Sequence, residues 1–271
     1  MKISIIIPAR NEKYLAKTVN DLLLKAKEEI DIWVVLDGAW TTEYSSDPRV
    51  NYIHFTEAKG MRNAINSAVA VSRGEILLKC DAHVLFDEGF DVKLKKDIEK
   101  NWIVIPRRYA LDPEKWVIEE RRDDKYPCDY EYLDPIDLHG VNWKEKRDER
   151  KDILIDEIIS AQGSCWVTTR EHFNNIGGLD EKKYGTFFLE FQELSFKTWT
   201  SGGKVVVNKN TWYSHFHKTK GRGYSLSSGE REMAVNFMKN WMEDKAWEGQ
   251  KIPFKEILNR FMPMPGWEGK L

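Results

Sequence analysis

The sequence predicts an α/β fold, with a mostly parallel central sheet flanked by helices. Two apolar runs, residues 3–7 and 32–36, are rich in β-branched side chains and end at Pro8 and Asp37 respectively. Continuous apolar runs of this kind are typical of strands that are buried on both faces of a parallel sheet. Between them, residues 14–28 carry apolar side chains at helical spacing. The order strand, helix, strand implies a right-handed crossover that makes the two strands parallel.

The alternation continues along the chain. Residues 50–55 form a third predicted strand, and a helix over residues 59–74 leads into a fourth strand that ends at Asp81. In doubly wound sheets, ligands bind at the carboxyl ends of the strands. Because Pro8, Asp37 and Asp81 each lie at such an end, we expect their three loops to meet at one crevice.

The second half of the sequence continues with less regular elements. A charged amphipathic helix is predicted over residues 87–101 and a strand over 102–105, followed by a polar, charged stretch over 107–152 with little periodicity. We interpret that stretch as an irregular excursion over the sheet that carries substrate-specific elements, or alternatively as a solvated connection. The remaining predicted elements are strands over 158–167 and 204–207, helices beginning near residues 169, 190 and 228, and a Gly/Lys/Arg-rich loop over 219–223.

The totals describe a globular chain with no general bias toward polyanions. The 271 residues suffice for one large domain or two small ones, and 41% hydrophobic with 32% charged residues argues against general disorder. A formal net charge of -2 predicts no overall attraction to nucleic acid, so such a contact would need a local basic face. The three cysteines have no CxxC spacing and indicate a reduced, cytoplasmic compartment. No apolar run approaches the roughly 18 residues that span a bilayer, so we expect no membrane span.

The stretch over residues 75–86 carries the most distinctive chemistry. An apolar strand ends there at Asp81 and His83, whose side chains point to the same side of an extended backbone. A carboxylate and an imidazole suit Mn²⁺ or another mid-series divalent ion, with coordination positions left for a phosphate and water. The alternative is that Asp81 caps a turn and His83 is an ordinary surface residue.

Four segments of the first half resemble the conserved loops of GT-A-fold glycosyltransferases. Residues 4–12 (SIIIPARNE) resemble their opening strand and nucleotide loop, and 35–38 (VLDG) the second loop, whose aspartate binds the nucleobase. Residues 59–66 resemble the helix start that follows, and 80–83 (CDAH) the metal motif. The resemblance implies a Rossmann-like GT-A domain over residues 1–225, with a nucleotide-sugar half over 1–105 and an acceptor half over 106–225, followed by a helical tail over 226–271.

Later segments are similar to the acceptor half of polypeptide N-acetylgalactosaminyltransferases. They are residues 163–173 with 176–180, and then 190–196 with the glycine pair 202–203. The resemblance covers roughly residues 3–225 and its motifs occur in the family's order. It implies that His215 is the third metal ligand beside Asp81 and His83, that the metal is Mn²⁺ or Mg²⁺, and that the donor is a nucleotide sugar, most commonly a UDP-sugar.

The resemblance also implies a set of residues around the donor. A sugar nucleotide presents a diphosphate whose charge grows as the glycosidic bond breaks, so cations beside it stabilise the departing group. A structural role for the histidines and a solvated role for the basic loop are the alternatives. The implied donor-binding residues are Pro8, Arg10, Glu12, Asp37, Lys59, Arg62, Asn63, Lys218, Arg222 and Tyr224.

One departure from the family concerns the catalytic base. Inverting members commonly use the aspartate of a Glu-Asp pair as base, and Phe191 occupies the corresponding position here. A phenyl ring cannot take a proton, which leaves Glu190 or Glu193 as a substitute if its carboxylate reaches the acceptor. The sequence resembles retaining enzymes elsewhere, and this resemblance implies a retaining transfer in which Glu190 orients the substrate and the leaving phosphate helps to deprotonate the acceptor.

The acceptor is the least determined part of the hypothesis. Residues 212–224 resemble a segment of small bacteriophage glycosyltransferases, some of which modify hydroxymethylated DNA bases. The resemblance implies 5-hydroxymethylpyrimidine DNA as acceptor in a phage-infected bacterial host, and a glycan, a lipid-linked sugar or a protein hydroxyl as alternatives. Two other classes stay open. A sugar-phosphate nucleotidyltransferase would favour a Gly-rich loop after the first strand, and a non-catalytic binding module would not need the metal triad.

Overall fold

A computed structural model describes residues 1–120, 125–218, 221, 224–226 and 228–270. The predicted α/β class with a mostly parallel central sheet is confirmed. The strands are β1 Ile3–Ala9, β2 Ile30–Asp37, β3 Val50–Phe55, β4 Ile76–Cys80, β5 Val84–Phe86, β6 Trp102–Asp112, β7 Val117–Ile118, β8 Glu131–Leu133, β9 Gly140–Asn142, β10 Ile155–Glu157, β11 Cys165–Thr169 and β12 Lys204–His215. The helices are α1 Leu15–Lys25, α2 Met61–Val71, α3 Phe90–Lys96, α4 Lys144–Glu149, α5 Arg170–Asn175, α6 Glu181–Tyr184, α7 Glu190–Thr200, α8 Ser228–Met242 and α9 Phe254–Arg260.

The central sheet combines a parallel half with a half in which one strand runs antiparallel. Its order is β10-β12-β6-β11-β4-β1-β2-β3. Strands β4, β1, β2 and β3 are parallel to one another, and β6 is parallel to β12, whereas β11 runs antiparallel between β4 and β6. Helices α1 and α3 contribute to the apolar core on one face of the sheet, while α2, α5, α7 and the last two helices contribute to the core on the other.

Pairing between β5 and β12 joins two distant parts of the sequence. Val84 lies opposite His215 in this antiparallel pair. The backbone N–H of Phe216 then donates to the carbonyl of His83 at 3.1 Å. Long-range strand pairing thus holds residue 215 beside residue 83.

The strand predicted over residues 204–207 is too short, because β12 continues to His215. After an irregularity between Asn208 and Trp212, it pairs with β6 again and with β5. These ladder hydrogen bonds come from strands that are remote in sequence, so local periodicity does not reveal them. The helix predicted over 87–101 is shorter than expected and spans only Phe90–Lys96.

The stretch over 107–152 is less irregular than the sequence predicts. β6 extends to Asp112 and forms a hairpin with β7, and β8 pairs with β9 before the short helix α4. Polar and apolar residues alternate too little in this stretch to predict strands. The strands form there because each segment pairs with another strand.

The C-terminal segment packs its aromatic side chains into the larger core. Trp241, Phe254 and Trp267 are at most 4% exposed and belong to the same cluster as Phe196 and Trp199 of α7. Helices α8 and α9 therefore cover α7. The division of the chain near residue 225 stays a prediction. Among the described residues, no helix is both long enough and apolar enough to cross a membrane.

Candidate metal centre and adjoining cavities

Three side chains named from the sequence converge at the carboxyl end of β4. Nε2 of His215 lies 3.2 Å from Oδ2 of Asp81 and 3.2 Å from Nε2 of His83. The remaining separation, from His83 Nε2 to Asp81 Oδ2, is 3.8 Å. Each of the three thus turns one ligand atom toward a common point.

The donor set fits a divalent cation. Three ligands at bond lengths of about 2.1 Å that meet at 90° to 109° lie about 3.0 to 3.5 Å apart, close to the separations observed here. Burial lowers the pKa of His215 to about 3, so its imidazole is neutral and has a lone pair to share. Although burial acts to raise it, the pKa of Asp81 is held well below its usual range chiefly by the Lys79 ammonium. One carboxylate and two imidazoles suit Mn²⁺.

A second carboxylate, that of Glu12, contacts the far side of the His83 ring. Oε2 of Glu12 lies 3.0 Å from Nδ1 of His83, on the side of the ring away from the cluster. The other oxygen, Oε1, accepts a hydrogen bond of 2.6 Å from the Lys218 ammonium. Glu12 therefore links the end of β1 to His83 and to the segment after β12.

A first cavity of about 240 Å³ opens onto the three ligands. The guanidinium of Arg10 lies 4.6 Å from the ring centroid of Tyr224, across one side of the cavity. Arg222, named from the sequence, lies outside the described residues. The residues named from the sequence that line the first cavity are Pro8, Arg10, Glu12, Asp37, Asp81, His83, His215, Lys218 and Tyr224.

Three other named residues do not line this cavity. The Lys59 ammonium lies over the Phe55 ring at 4.8 Å. The amide of Asn63 donates to Glu181 at 2.8 Å, and Arg62 is fully buried in an ion pair with Glu193. The structure thus gives these side chains contacts that hold α2 in place, and it does not bring them to the candidate metal centre.

Asp37 reaches the cavity but is also used by the fold. Its carboxylate accepts from the backbone N–H of Lys59 at 2.6 Å and from that of Gly60 at 3.0 Å. Gly60 has φ +93°, and a Cβ there would approach Thr186 to 2.3 Å. A glycine is therefore required where α2 begins, and Asp37 fixes that turn beside the cavity.

Lys79 is a site residue that sequence reasoning missed. It lies on β4 and is only 1% exposed. Its ammonium donates to Asp81 Oδ1 at 2.9 Å, to the carbonyl of Gly163 at 2.6 Å and to Glu190 Oε2 at 3.3 Å. The available signal was a lysine inside an otherwise apolar strand, since a buried cation needs an anionic partner.

The two glutamates of α7 differ in their contacts. Glu190 Oε1 accepts from the Trp166 indole at 2.6 Å, and Oε2 faces Lys79. Burial raises the pKa of Glu190, and the Lys79 charge opposes that shift. Glu193 is fully buried, pairs with Arg62 and with Lys197, and accepts from the backbone N–H of Asp180. Glu190 thus lies beside the candidate metal centre, while Glu193 belongs to the core.

A second cavity of about 510 Å³ lies on the other side of Asp81. It is lined by Glu190, Phe191 and Gln192 of α7 and by polar residues of the 107–152 stretch, among them Arg108 and Glu131. The residues that line both cavities are Met61, Asp81, Gln162, Phe187 and His217. One ligand of the candidate metal centre therefore stands at the junction of two chambers.

A sequence model of one family matches residues 4–177, which is more than half of the chain, under the description glycosyl transferase family 2. The chain belongs to glycosyl transferase family 2. It is 24% identical over 273 residues to a probable N-acetylgalactosaminyltransferase 7 of Caenorhabditis elegans, with 89% of this chain and 44% of the relative covered. A putative polypeptide N-acetylgalactosaminyltransferase 9 of Drosophila melanogaster is 22% identical, with 90% and 40% covered. The chain spans less than half the length of these relatives.

Two solved structures have a similar fold. A crystal structure of GalNAc-T7 with UDP, GalNAc and Mn²⁺ superposes with a TM-score of 0.75 at 17% identity, covering 90% of this chain and 49% of that one. S. aureus TarS 1–349 in complex with UDP-GlcNAc gives a TM-score of 0.58 at 16% identity, covering 88% and 65%. The resemblance to GT-A glycosyltransferases inferred from the motifs of this family 2 chain is confirmed.

Proposed function

We propose that this family 2 chain is a metal-dependent glycosyltransferase that moves a sugar from a UDP-sugar to an acceptor hydroxyl with retention of configuration. The observation that carries the proposal is the triad of Asp81, His83 and His215 at the junction of two cavities. A hydrolase of the donor would need only the first cavity and water. A second, polar chamber beside the same aspartate supports transfer to a bound acceptor.

The first cavity suits the nucleotide diphosphate. Asp81, His83 and His215 would hold Mn²⁺ or Mg²⁺, which neutralises the charge that develops on the departing diphosphate. Arg10 and Lys218 line the same cavity and add positive charge beside the phosphates. Asp37 stands at the end of β2 and lines the same cavity, where it would contact the nucleobase. The GalNAc-T7 and TarS complexes named above, which contain UDP or a UDP-sugar, support this choice of donor.

The contacts of α7 support retention. An inverting transfer needs a carboxylate that can take the acceptor proton from the face opposite the leaving group. Phe191 occupies the position implied for that base. Both oxygens of Glu190 already accept hydrogen bonds, and Glu193 is fully buried in ion pairs. Glu190 would orient the sugar rather than carry a proton.

The retaining step balances without an enzyme base. The bond between the anomeric carbon and the diphosphate oxygen breaks, and the acceptor oxygen bonds to the same face of that carbon. The acceptor proton passes to an oxygen of the departing diphosphate, which leaves as UDP. Lys79 donates to both Asp81 and Glu190 beside the reacting centre and holds the two carboxylates in place.

We propose a 5-hydroxymethylpyrimidine base in DNA as the first acceptor to test. The second cavity is lined by the polar side chains of Gln162, Gln192, Glu131 and Arg108, which would exchange some of their mutual hydrogen bonds for bonds to the edge of an extruded base. Its volume of about 510 Å³ has room for a base with its sugar. A DNA acceptor would place the reaction in the cytoplasm of a phage-infected bacterium. The second candidate, a hydroxyl of a protein or glycan, is supported by the similarity to polypeptide N-acetylgalactosaminyltransferases.

Product analysis tests the donor, the acceptor and the stereochemistry together. The chain is incubated with Mn²⁺ and UDP-glucose, UDP-GlcNAc or UDP-GalNAc, and with 5-hydroxymethylcytosine DNA, unmodified DNA, a serine/threonine peptide or an oligosaccharide. We expect transfer to one hydroxylated acceptor, and an anomeric proton coupling in the NMR spectrum that shows the α configuration of the donor retained. A β-linked product would contradict retention. Transfer to peptide but not to modified DNA would replace the first acceptor with the second.

A further inference from the structure

We propose that Glu12 is a positioning residue that couples the candidate metal centre to Lys218, in the segment that follows β12 at the first cavity. The proposal rests on the proposed function only for the nature of the ion and of the diphosphate. Its basis is that the two oxygens of one carboxylate are divided between a metal ligand and a cation of that segment. The Glu12 side chain is 9% exposed, so water replaces neither contact readily.

The first contact fixes the ring of His83. With Nδ1 3.0 Å from Glu12 Oε2, the ring places its proton on Nδ1 and leaves the lone pair of Nε2 facing Asp81 and His215. A carboxylate behind a ligating imidazole sets the tautomer and raises the basicity of the ligand. The His83 ring also packs against the rings of His215 and Phe216, whose centroids lie 4.9 Å and 6.2 Å away.

The second contact restrains the segment after β12. Lys218 donates to Glu12 Oε1 at 2.6 Å, and its side chain is 18% exposed. Lys218 lines the first cavity together with Phe216 and His217. Tyr14, two residues after Glu12, packs edge-on against Phe216 at 5.6 Å. The start of this segment is therefore attached to the loop after β1.

The two contacts make Glu12 and a bound diphosphate competitors for Lys218. Without the donor, the ammonium neutralises Glu12. With it, phosphate oxygens in the same cavity offer the ammonium a more highly charged partner. Transfer of Lys218 to the phosphates leaves the full charge of Glu12 to His83, where it strengthens the imidazole as a ligand. Donor binding and metal binding are thereby coupled through one side chain.

Binding measurements that need no turnover test this role. Mn²⁺ affinity is measured in the absence of donor from the electron paramagnetic resonance signal of free Mn²⁺. UDP affinity is measured by titration calorimetry at saturating Mn²⁺. The variants are Glu12→Ala, Glu12→Gln, Lys218→Met and the double variant Glu12→Gln/Lys218→Met. Exposed Glu57→Gln is the matched control, and thermal melts check that each variant folds.

We expect Glu12→Ala to weaken Mn²⁺ binding by about 10- to 100-fold, as is typical for loss of a carboxylate behind a ligating histidine. Glu12→Gln keeps a hydrogen-bond acceptor for Nδ1 and should change Mn²⁺ affinity by less than about fivefold, because only the charge is lost. Lys218→Met should tighten donor-free Mn²⁺ binding by up to about fivefold, because it leaves the full charge of Glu12 to His83. A Glu12→Ala chain with wild-type Mn²⁺ affinity would overturn the positioning role.

UDP affinity reports the competition. Glu12→Gln should tighten UDP binding by about fivefold, because an ion pair worth about 1 kcal/mol no longer holds Lys218 back. That gain should disappear in the Lys218→Met background. If Glu12→Gln still tightened UDP binding in the Lys218→Met background, the effect would come from the negative charge of Glu12 itself, and competition for Lys218 would be contradicted. A wild-type chain that binds neither Mn²⁺ nor UDP would contradict the proposed function itself, whereas normal wild-type binding with unresponsive Glu12 variants would contradict only this inference.

Discussion

Asp81→Asn is expected to lower kcat/KM for sugar transfer by about 10³-fold, since loss of an ion that contributes about 4 kcal/mol of transition-state stabilisation has that effect. Asp81 is the only anionic member of the triad, and its Oδ2 lies 3.2 Å from His215 Nε2 and 3.8 Å from His83 Nε2. An amide keeps the shape of the side chain but binds a divalent cation poorly. The measurement is steady-state release of UDP at fixed Mn²⁺, together with Mn²⁺ affinity of the same variant.

Asp152→Asn is the matched control, because Asp152 is exposed and outside both cavities. It should retain wild-type kcat/KM and Mn²⁺ affinity. Asp81→Asn also leaves Lys79 without one of its two anionic partners, so its free energy of unfolding is measured alongside. A folded Asp81→Asn chain with more than about a tenth of wild-type activity would show that the ion contributes less than about 1.4 kcal/mol.

Glu193→Gln is expected to lower the free energy of unfolding by about 3 to 5 kcal/mol, the range found when one partner of a buried ion pair is removed. Glu193 and Arg62 are both fully buried, and Lys197 is 7% exposed. Loss of the carboxylate leaves two buried cations without their shared anion. The Arg62 guanidinium would keep only its hydrogen bond to the Phe188 carbonyl at 2.6 Å as a direct polar contact among those described. Urea denaturation followed by tryptophan fluorescence measures the change.

Glu171→Gln, on the exposed side of α5, is the matched control and should change stability by less than about 0.5 kcal/mol. The same pair of variants separates structure from catalysis at α7. A folded Glu193→Gln chain should keep its Mn²⁺ affinity, since Glu193 lines neither cavity. Unchanged stability combined with a large loss of turnover would restore Glu193 as a catalytic candidate.

The alternation of strands and helices in the first 105 residues was sufficient to predict the sheet and the edge at which Asp81 lies. Side-chain alternation past the end of β4 was also sufficient to place Asp81 and His83 on one side. His215 was different. Its place beside residue 83 depends on the pairing of β5 with β12, a contact across 131 positions of sequence that no local pattern encodes. Only the resemblance to a known family pointed to it.

Burial accounts for the contacts of two residues named from the sequence and for one residue that sequence reasoning missed. Arg62 and Glu193 stand in family motifs, but in three dimensions they pair with each other inside the core. Lys79 looks like an interruption of an apolar strand, yet it forms ion pairs with the carboxylates of Asp81 and Glu190. A charged residue in a motif can stabilise the core or take part in the reaction. The residues that it contacts in the folded chain distinguish these two roles. The 107–152 stretch shows the same limit, because its short strands are set by remote partners.

The most direct test of the account is a crystal of the chain soaked with UDP and Mn²⁺ and measured near the manganese absorption edge. We predict an anomalous peak within about 2.5 Å of Asp81 Oδ2, His83 Nε2 and His215 Nε2, with the diphosphate of UDP against it in the first cavity. A manganese peak that is coordinated by the phosphates but distant from these three atoms would contradict the central claim.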